Sequence, residues 1–178
     1  MALRKASSYS RKYTRPYTRK SKKKSKNYIK TVPQQKIVKF IMGNLQDYRQ
    51  KKLKFVLKLI VAENVLVRDT ALEAMRQYVH KQLDEEYPGQ YYLEVRVFPH
   101  HILRENRVLT GAGADRMQTG MQQSFGTTIG RAAIVKSGHE ILVVAVPTEK
   151  ARAFAVKIIS RIKSKIPGHT RLQIEQIA

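Results

Sequence analysis

Positively charged and aromatic side chains are interleaved along the first 33 residues of the chain. This stretch holds twelve Lys and Arg residues, no Asp or Glu, and four of the nine tyrosines. Cationic side chains bind phosphates, and aromatic rings between them can stack on unpaired bases. The pattern favours RNA binding over the alternative of a solvated or nuclear-targeting tail. The residues expected to contact RNA are Arg4, Lys5, Arg11, Lys12, Arg15, Tyr17, Arg19, Lys20, Lys22, Lys23, Lys24 and Lys26.

A second unusual stretch, residues 104–130, holds five of the nine glycines. It shows neither the period of a helix nor the alternation of a strand, which predicts a long loop. Glycine loses more backbone entropy on ordering than other residues, so a loop of this composition is typical of a functional projection or a disordered insert. We expect it to be mobile until a partner orders it.

Catalytic motifs are weak or incomplete. The run GAGADR (111–116) begins like a dinucleotide-binding turn, but it ends in Arg116 and does not open an amphipathic helix. The five histidines are scattered and the chain has no cysteine, which argues against a zinc site. His100 and His101 follow a predicted strand, where an ordinary loop histidine is commoner than a general base. We therefore expect no enzyme activity, no metal and no cofactor.

Composition narrows the class of partner. The chain has 178 residues, is 42% hydrophobic and carries a formal net charge of +22, of which residues 1–33 contribute twelve. The remaining +10 lies on residues 34–178. Such a surplus hinders compaction unless a polyanion neutralises it, and nucleic acid is the leading candidate. No apolar run is long enough for a membrane span or a signal peptide, and the lack of cysteine fits a reducing compartment such as the cytoplasm.

A folded domain is predicted over residues 34–178, with the 1–33 extension in front of it. Strands are predicted at 36–42, 53–61, 91–98, 131–136, 141–146 and 171–177, with turns at Gly43-Asn44 and Ser137-Gly138. A helix from about Thr70 to Glu86 is expected to be capped by Asp69, and a second opens at Thr148 and ends before Pro167. Lys150, Lys157 and Arg161 lie on a flank of that second helix, where they either grip phosphate or face solvent.

These elements form two strand-helix-strand units joined by the long loop. The predicted fold is α+β, a two-layer α/β sandwich with a mixed sheet and two helices. Its packed scaffold would fix the two ends of the loop and leave the middle free to enter another molecule's surface.

Several longer motifs carry a family resemblance. They are RPYTRKSKKK (15–24), MGN (42–44), ALEAMRQ (71–77), RVFPHHILREN (96–106) and TGAGADRMQTGM (110–121). With these motifs in this order, the chain resembles the universal large-subunit ribosomal protein family called L-ten-e in archaea and eukaryotes and L-sixteen in bacteria. The resemblance covers nearly the whole chain, and its basic extension is of the archaeal or eukaryotic type.

The resemblance implies a fold of the α/β hammerhead kind and a place on the cytoplasmic ribosome. The partners it implies are large-subunit ribosomal RNA near the aminoacyl-tRNA site and the peptidyl-transferase centre, tRNA, and neighbouring ribosomal proteins. It also implies late joining to the subunit, without a membrane or a homo-oligomer. The loop residues it places near tRNA are Arg104, Arg107, Gly111, Gly113, Asp115, Arg116, Met117 and Gly120.

The chain also departs from the family pattern in three places. It has Gln122-Gln123 where the family often has two basic residues, Thr127-Thr128 where Lys-Pro is common, and Arg107 where proline is usual. Compared with the family pattern, the loop has fewer cations in its second half, and at Arg107 it lacks a proline that would stiffen its first half.

Two other classes of function remain open on sequence grounds. One is a free-standing RNA-binding regulator with the same physical properties. The other is an enzyme acting on RNA, with His100 or His101 as the base.

Overall fold

The computed structural model describes Ile29, residues 31–105 and residues 126–177. Within these residues the chain forms eight β-strands and three α-helices. In chain order they are β1 (Ile41–Gly43), α1 (Leu45–Arg49), β2 (Phe55–Val61), β3 (Val65–Arg68), α2 (Asp69–Glu86), β4 (Tyr92–Val95), β5 (His101–Glu105), β6 (Thr127–Val135), β7 (Glu140–Val146), α3 (Glu149–Ile162) and β8 (Thr170–Gln176). A short 3-10 helix, Lys163–Lys165, follows α3.

The strands form two sheets. The larger has the order β1-β4-β7-β2-β8, and the smaller has the order β3-β6-β5. The α+β class is confirmed, but the expected mixed sheet is wrong, because every strand pair in the described residues is antiparallel.

The physical reason is the way in which the two predicted units interleave. In each unit a helix returns the chain in its original direction, so β2 is parallel to β4, and β7 is parallel to β8. However, β7 lies between β2 and β4, while β2 lies between β7 and β8. Each unit is thus a split strand-helix-strand motif whose gap is filled by an antiparallel strand of the other unit.

The two long helices pack on one face of the large sheet. Leu72, Met75 and Val79 of α2 and Ile158 and Ile159 of α3 share one core with inward residues of the sheet. This arrangement confirms the two-layer prediction and the apolar stripe predicted for α3. The run ILVVAV occupies the central strand β7 and is buried on both faces, because Val143 and Ala145 join a second cluster on the opposite side.

The secondary structure predicted from the sequence is wrong between Lys36 and Asn44. The strand predicted over 36–42 reduces to β1, and the Gly43-Asn44 turn is instead the start of α1. The Asn44 carboxamide oxygen accepts the backbone N–H groups of Gln46 and Asp47, at 3.0 and 3.1 Å, which caps that helix. The backbone N–H of Lys36 is bonded to a side chain of α2 and not to a neighbouring strand.

Two strands of the small sheet were missed, and one cap was assigned wrongly. β3 is only four residues long, and β5 lies outside every predicted strand and overlaps the predicted loop at Arg104 and Glu105, although both pair with β6. Asp69 is the first residue of α2 and not its N-cap, since the N-cap is Arg68, which makes no side-chain capping bond. The carboxylate of Asp69 accepts the N–H of Thr70 at 2.8 Å and that of Lys36 at 3.1 Å.

Gly43 provides a direct test of the β1 to α1 connection. Its φ is +81°, and an added Cβ would lie 2.2 Å from the carbonyl oxygen of Tyr91. We expect Gly43→Ala to lower the free energy of unfolding by more than about 2 kcal/mol, because a backbone clash adds to conformational strain. Chemical denaturation measures the loss.

The matched control is Gly138→Ala. Gly138 has a similar φ of +85°, but nothing lies within 4 Å of its added Cβ. The control should therefore cost only about 1 kcal/mol. Equal losses in the two variants would contradict the assigned clash.

Candidate nucleic-acid interface

The predicted RNA-binding residues of the extension, from Arg4 to Lys26, lie outside the described residues. So do seven of the eight predicted loop residues, from Arg107 to Gly120. Of that loop set the structure describes Arg104, which lies in β5 opposite Thr128 of β6.

A two-stranded arm formed by β5 and β6 carries the segment 106–125. His101 pairs with Ala132 and Glu105 with Thr127, with a register irregularity between Leu103 and Arg104. The two ends of the loop predicted over 104–130 are therefore strands as far as Glu105 and from Thr127 onward. Thr127 and Thr128 suit this position, because β-branched residues favour strands and keep the backbone N–H that proline lacks.

The end of the N-terminal extension is attached to this arm. Ile29 is only 2% exposed. The Thr128 hydroxyl donates to the Thr31 carbonyl oxygen at 3.2 Å, and the Arg131 Nε–H donates to the Pro33 carbonyl oxygen at 2.6 Å. The extension therefore reaches the folded body beside the loop-bearing end of β6.

The same segment is also attached to α2. The Lys36 N–H donates to Asp69, as above, and the backbone N–H of Val38 donates to the Glu73 carboxylate. We call these four contacts, which join 31–38 to Thr128, Arg131, Asp69 and Glu73, the clasp. Burial raises the pKa of Asp69, while the N–H groups of Lys36 and Thr70 oppose that rise.

Glu73 is held by a buried ion pair. Its carboxylate accepts from Arg76 Nη2 at 2.5 Å and Nε at 2.8 Å, and from Gln77 Nε2 at 2.8 Å. The Arg76 hydrogen bonds lower the pKa of Glu73, against the opposing effect of burial. The ion pair keeps Glu73 charged, and the charged carboxylate is the stronger acceptor for Val38.

The outer face of the large sheet has a different electrostatic character. Five charges of alternating sign cross it in the order Glu175, Lys58, Glu140, Arg96, Glu94. Lys58 Nζ lies 2.6 Å from Glu175 and 3.5 Å from Glu140, and Arg96 bonds both Glu140 and Glu94. The hydrogen bond to Glu175 is the main cause that raises the pKa of Lys58. These five charges sum to −1, so this network does not itself attract a polyanion.

The helical layer, in contrast, exposes cations. Lys150, Lys157 and Arg161 on α3 are all exposed, as their position on the flank predicted. Arg161 Nη1 lies 3.5 Å from the Tyr78 hydroxyl, and Lys165 Nζ lies 6.0 Å from the centre of the Tyr78 ring.

The two candidate histidines occupy different environments. His101 is buried in β5, whereas His100 is exposed with its Nδ1 3.1 Å from the Phe98 carbonyl oxygen. His100 also lines a shallow cleft of about 490 Å³ with Arg96, Phe98 and His139. Among the residues that the structure describes, no group of three or more His, Asp or Glu side chains could hold a metal ion.

No helix in the described part of the chain is both long and apolar enough to cross a membrane.

The sequence did not reveal the clasp. The sequence pattern predicts Asp69 as a helix cap and Arg131 as the first residue of a strand, and neither prediction indicates a contact with residues 31–38. Their partners lie 33 and 98 residues away, and no local pattern relates residues so far apart.

Comparison with known proteins gives consistent results. The family model for ribosomal protein L16p/L10e matches residues 15–173. A large ribosomal subunit protein uL16 from Thermofilum pendens is 43% identical over 150 residues, which cover 84% of this chain and 86% of that relative. The uL16 protein of Hyperthermus butylicus is 42% identical over 83% of this chain and 79% of its own length, and that of Methanococcus maripaludis is 40% identical over 83% of both chains.

These matches show that the chain is a structural protein of the large ribosomal subunit and not an enzyme. It belongs to the ribosomal protein L16p/L10e family and has archaeal relatives. The resemblance inferred from the five motifs is confirmed, and its place in the cell is the cytoplasmic ribosome. Family membership also decides against the two alternatives of a free-standing regulator and an enzyme acting on RNA.

The Glu73–Arg76 pair gives a pH-dependent prediction. Because the folded-state pKa of Glu73 is lowered, its stabilising effect is present above its usual pKa of 4.5 and is lost as pH falls through the folded value. Glu73→Gln should lower the free energy of unfolding by about 2 kcal/mol at pH 7, less than the roughly 3 to 5 kcal/mol of a fully broken buried pair, because Gln keeps one acceptor. The difference should shrink at acid pH.

Glu85→Gln is the control for this measurement. The Glu85 side chain is 56% exposed and lies 3.8 Å from Lys81. An exposed pair of this kind contributes about 0.5 kcal/mol or less. A Glu73→Gln loss that is equally small, or that does not change with pH, would show that the buried pair is not what holds Glu73.

Proposed function

We propose that this chain binds large-subunit ribosomal RNA beside the aminoacyl-tRNA site and the peptidyl-transferase centre, with the segment 106–125 reaching toward tRNA. In this role it supports translation and the late assembly of the subunit as a single copy among neighbouring ribosomal proteins. Its contribution is positional, since RNA performs the peptide transfer.

One observation carries this proposal. The clasp brings the end of the cationic extension to Thr128 and Arg131 of the strand that follows the glycine-rich segment. The two stretches with the composition expected of RNA-contacting segments therefore leave the folded body side by side. A single surface of RNA is large enough to meet both.

The charge distribution supports the same orientation. Twelve cations precede the clasp, while the alternating charges on the outer face of the large sheet neutralise one another. An RNA surface would thus be attracted to the end that carries the extension. The outer sheet face is left for solvent or for protein neighbours.

The extension should dominate the salt dependence of RNA binding. Contact with about six phosphates gives a slope of log affinity against log salt of roughly −4 to −5. Replacing Lys20, Lys22, Lys23, Lys24 and Lys26 with Gln in the full chain should make that slope shallower by about 2 to 4. Filter binding to a large-subunit ribosomal RNA fragment across a salt series measures it, and an unchanged slope would exclude phosphate contact by these lysines.

The loop is expected to act on tRNA and not on folding. The strand pairing of the arm extends to Glu105 and Thr127, so deletion of residues 107–120 should change the free energy of unfolding by less than about 1 kcal/mol. Subunits that contain the variant should assemble but bind aminoacyl-tRNA more weakly. Unfolding of the deleted chain, or unimpaired tRNA binding, would contradict this role.

A further inference from the structure

Residues 31–38 have a well-defined course without regular secondary structure. They form neither helix nor strand, and the backbone groups of Thr31, Pro33, Lys36 and Val38 are bonded to side chains from other parts of the chain. Thr128 and Arg131 hold Thr31 and Pro33 on one side, and Asp69 and Glu73 hold Lys36 and Val38 on the other. Arg131 and Asp69 are also close enough to interact electrostatically.

We propose that Arg131 and Asp69 are positioning residues for RNA binding: through the backbone of residues 31–38 they fix the direction in which the cationic extension leaves the loop-bearing arm. This inference rests on the proposed function. It adds that the affinity for structured RNA depends on the clasp, and not only on the number of positive charges.

The physical reason is conformational entropy. Fixing the backbone of each residue costs conformational entropy, and a free linker of about ten residues would have a reach of roughly 17 to 19 Å. The clasp fixes this segment when the protein folds, so RNA binding need not order it again. It also keeps the effective concentration of the extension high at RNA sites next to those contacted by the arm.

A substitution at Asp69 distinguishes positioning by the clasp from a simple effect of charge on RNA binding. Its carboxylate is a negative charge close to a surface expected to meet phosphates. If charge alone mattered, Asp69→Asn would strengthen RNA binding. If the clasp matters, the variant weakens binding, because an Asn side chain has only one oxygen for the two N–H groups that Asp69 now accepts.

Arg131→Lys and a pair of threonine variants complete the set. The lysine keeps the positive charge but lacks the Nε–H that donates to Pro33. Thr128→Val removes the hydroxyl that donates to Thr31, and Thr127→Val is its matched control. The Thr127 hydroxyl donates to the Glu105 carbonyl oxygen at 3.3 Å, a contact within the arm and not part of the clasp.

The experiment measures the affinity of full-length variants for a large-subunit ribosomal RNA fragment and for heparin, a flexible polyanion. Asp69→Asn and Arg131→Lys should each weaken RNA binding roughly tenfold, as expected for the loss of a charge-assisted hydrogen bond that orders the segment. Thr128→Val should weaken it several-fold, and Thr127→Val by less than about twofold. Heparin binding should change by less than about twofold throughout, because a flexible chain does not require a fixed direction.

A second background distinguishes positioning from a merely structural role. The same substitutions are made in the full-length chain with the five tail lysines replaced by Gln. Positioning predicts that their effect on RNA affinity becomes much smaller there, because an extension with seven of its twelve cations left contributes less binding to be directed. A structural role predicts the same loss in both backgrounds.

The inference is overturned if Asp69→Asn leaves RNA binding unchanged or strengthens it, or if the losses are equally large in the background with the five lysines replaced. Should Asp69→Asn fail to fold, Arg131→Lys and Thr128→Val decide the question. Failure of the proposed function is recognised separately. In that case neutralising the tail lysines would leave the RNA affinity of the otherwise unaltered chain unchanged.

Discussion

The strongest constraint on this protein is its own positive charge. With 35 Lys and Arg residues against 13 Asp and Glu, the chain cannot pair most of its cations internally. Several of its acids have structural roles. Glu73 and Asp69 hold a backbone segment, and Glu94, Glu140 and Glu175 neutralise the outer sheet face. Twelve of the cations lie on the extension, and Lys150, Lys157 and Arg161 are exposed on α3, as expected of a protein completed by a polyanion.

The fold determines where this positive charge lies relative to the rest of the protein. Two split strand-helix-strand units interleave into one antiparallel sheet, and their apolar faces make a core with α2 and α3. The small sheet adds Val65 and Val67 of β3 and Ala133 and Val135 of β6 to this core, and the far ends of β5 and β6 form the arm. The paired strands β5 and β6 provide a fixed base for the segment 106–125, which joins them in the sequence.

Much of this architecture could be predicted from local patterns. Both long helices, β2, β7 and β8 follow from apolar periodicity, and the α3 cap at Thr148 is where the sequence indicates it. The failures share one cause. β3, β5 and the course of residues 36–40 depend on partners distant in the chain, and so does the antiparallel order of the sheet. A short strand such as β5 shows its identity only when β6 lies beside it.

The sequence by itself determined the chemistry: an RNA-binding composition, the absence of a complete catalytic motif, and a family that the matches confirm. Tertiary structure alone decided the geometry, namely that the extension ends against β6 and that Asp69 and Arg131 face the same backbone segment. Charge and hydrophobicity belong to each residue and are visible in the sequence. A hydrogen bond between residues 98 positions apart exists only after the chain has folded around one core.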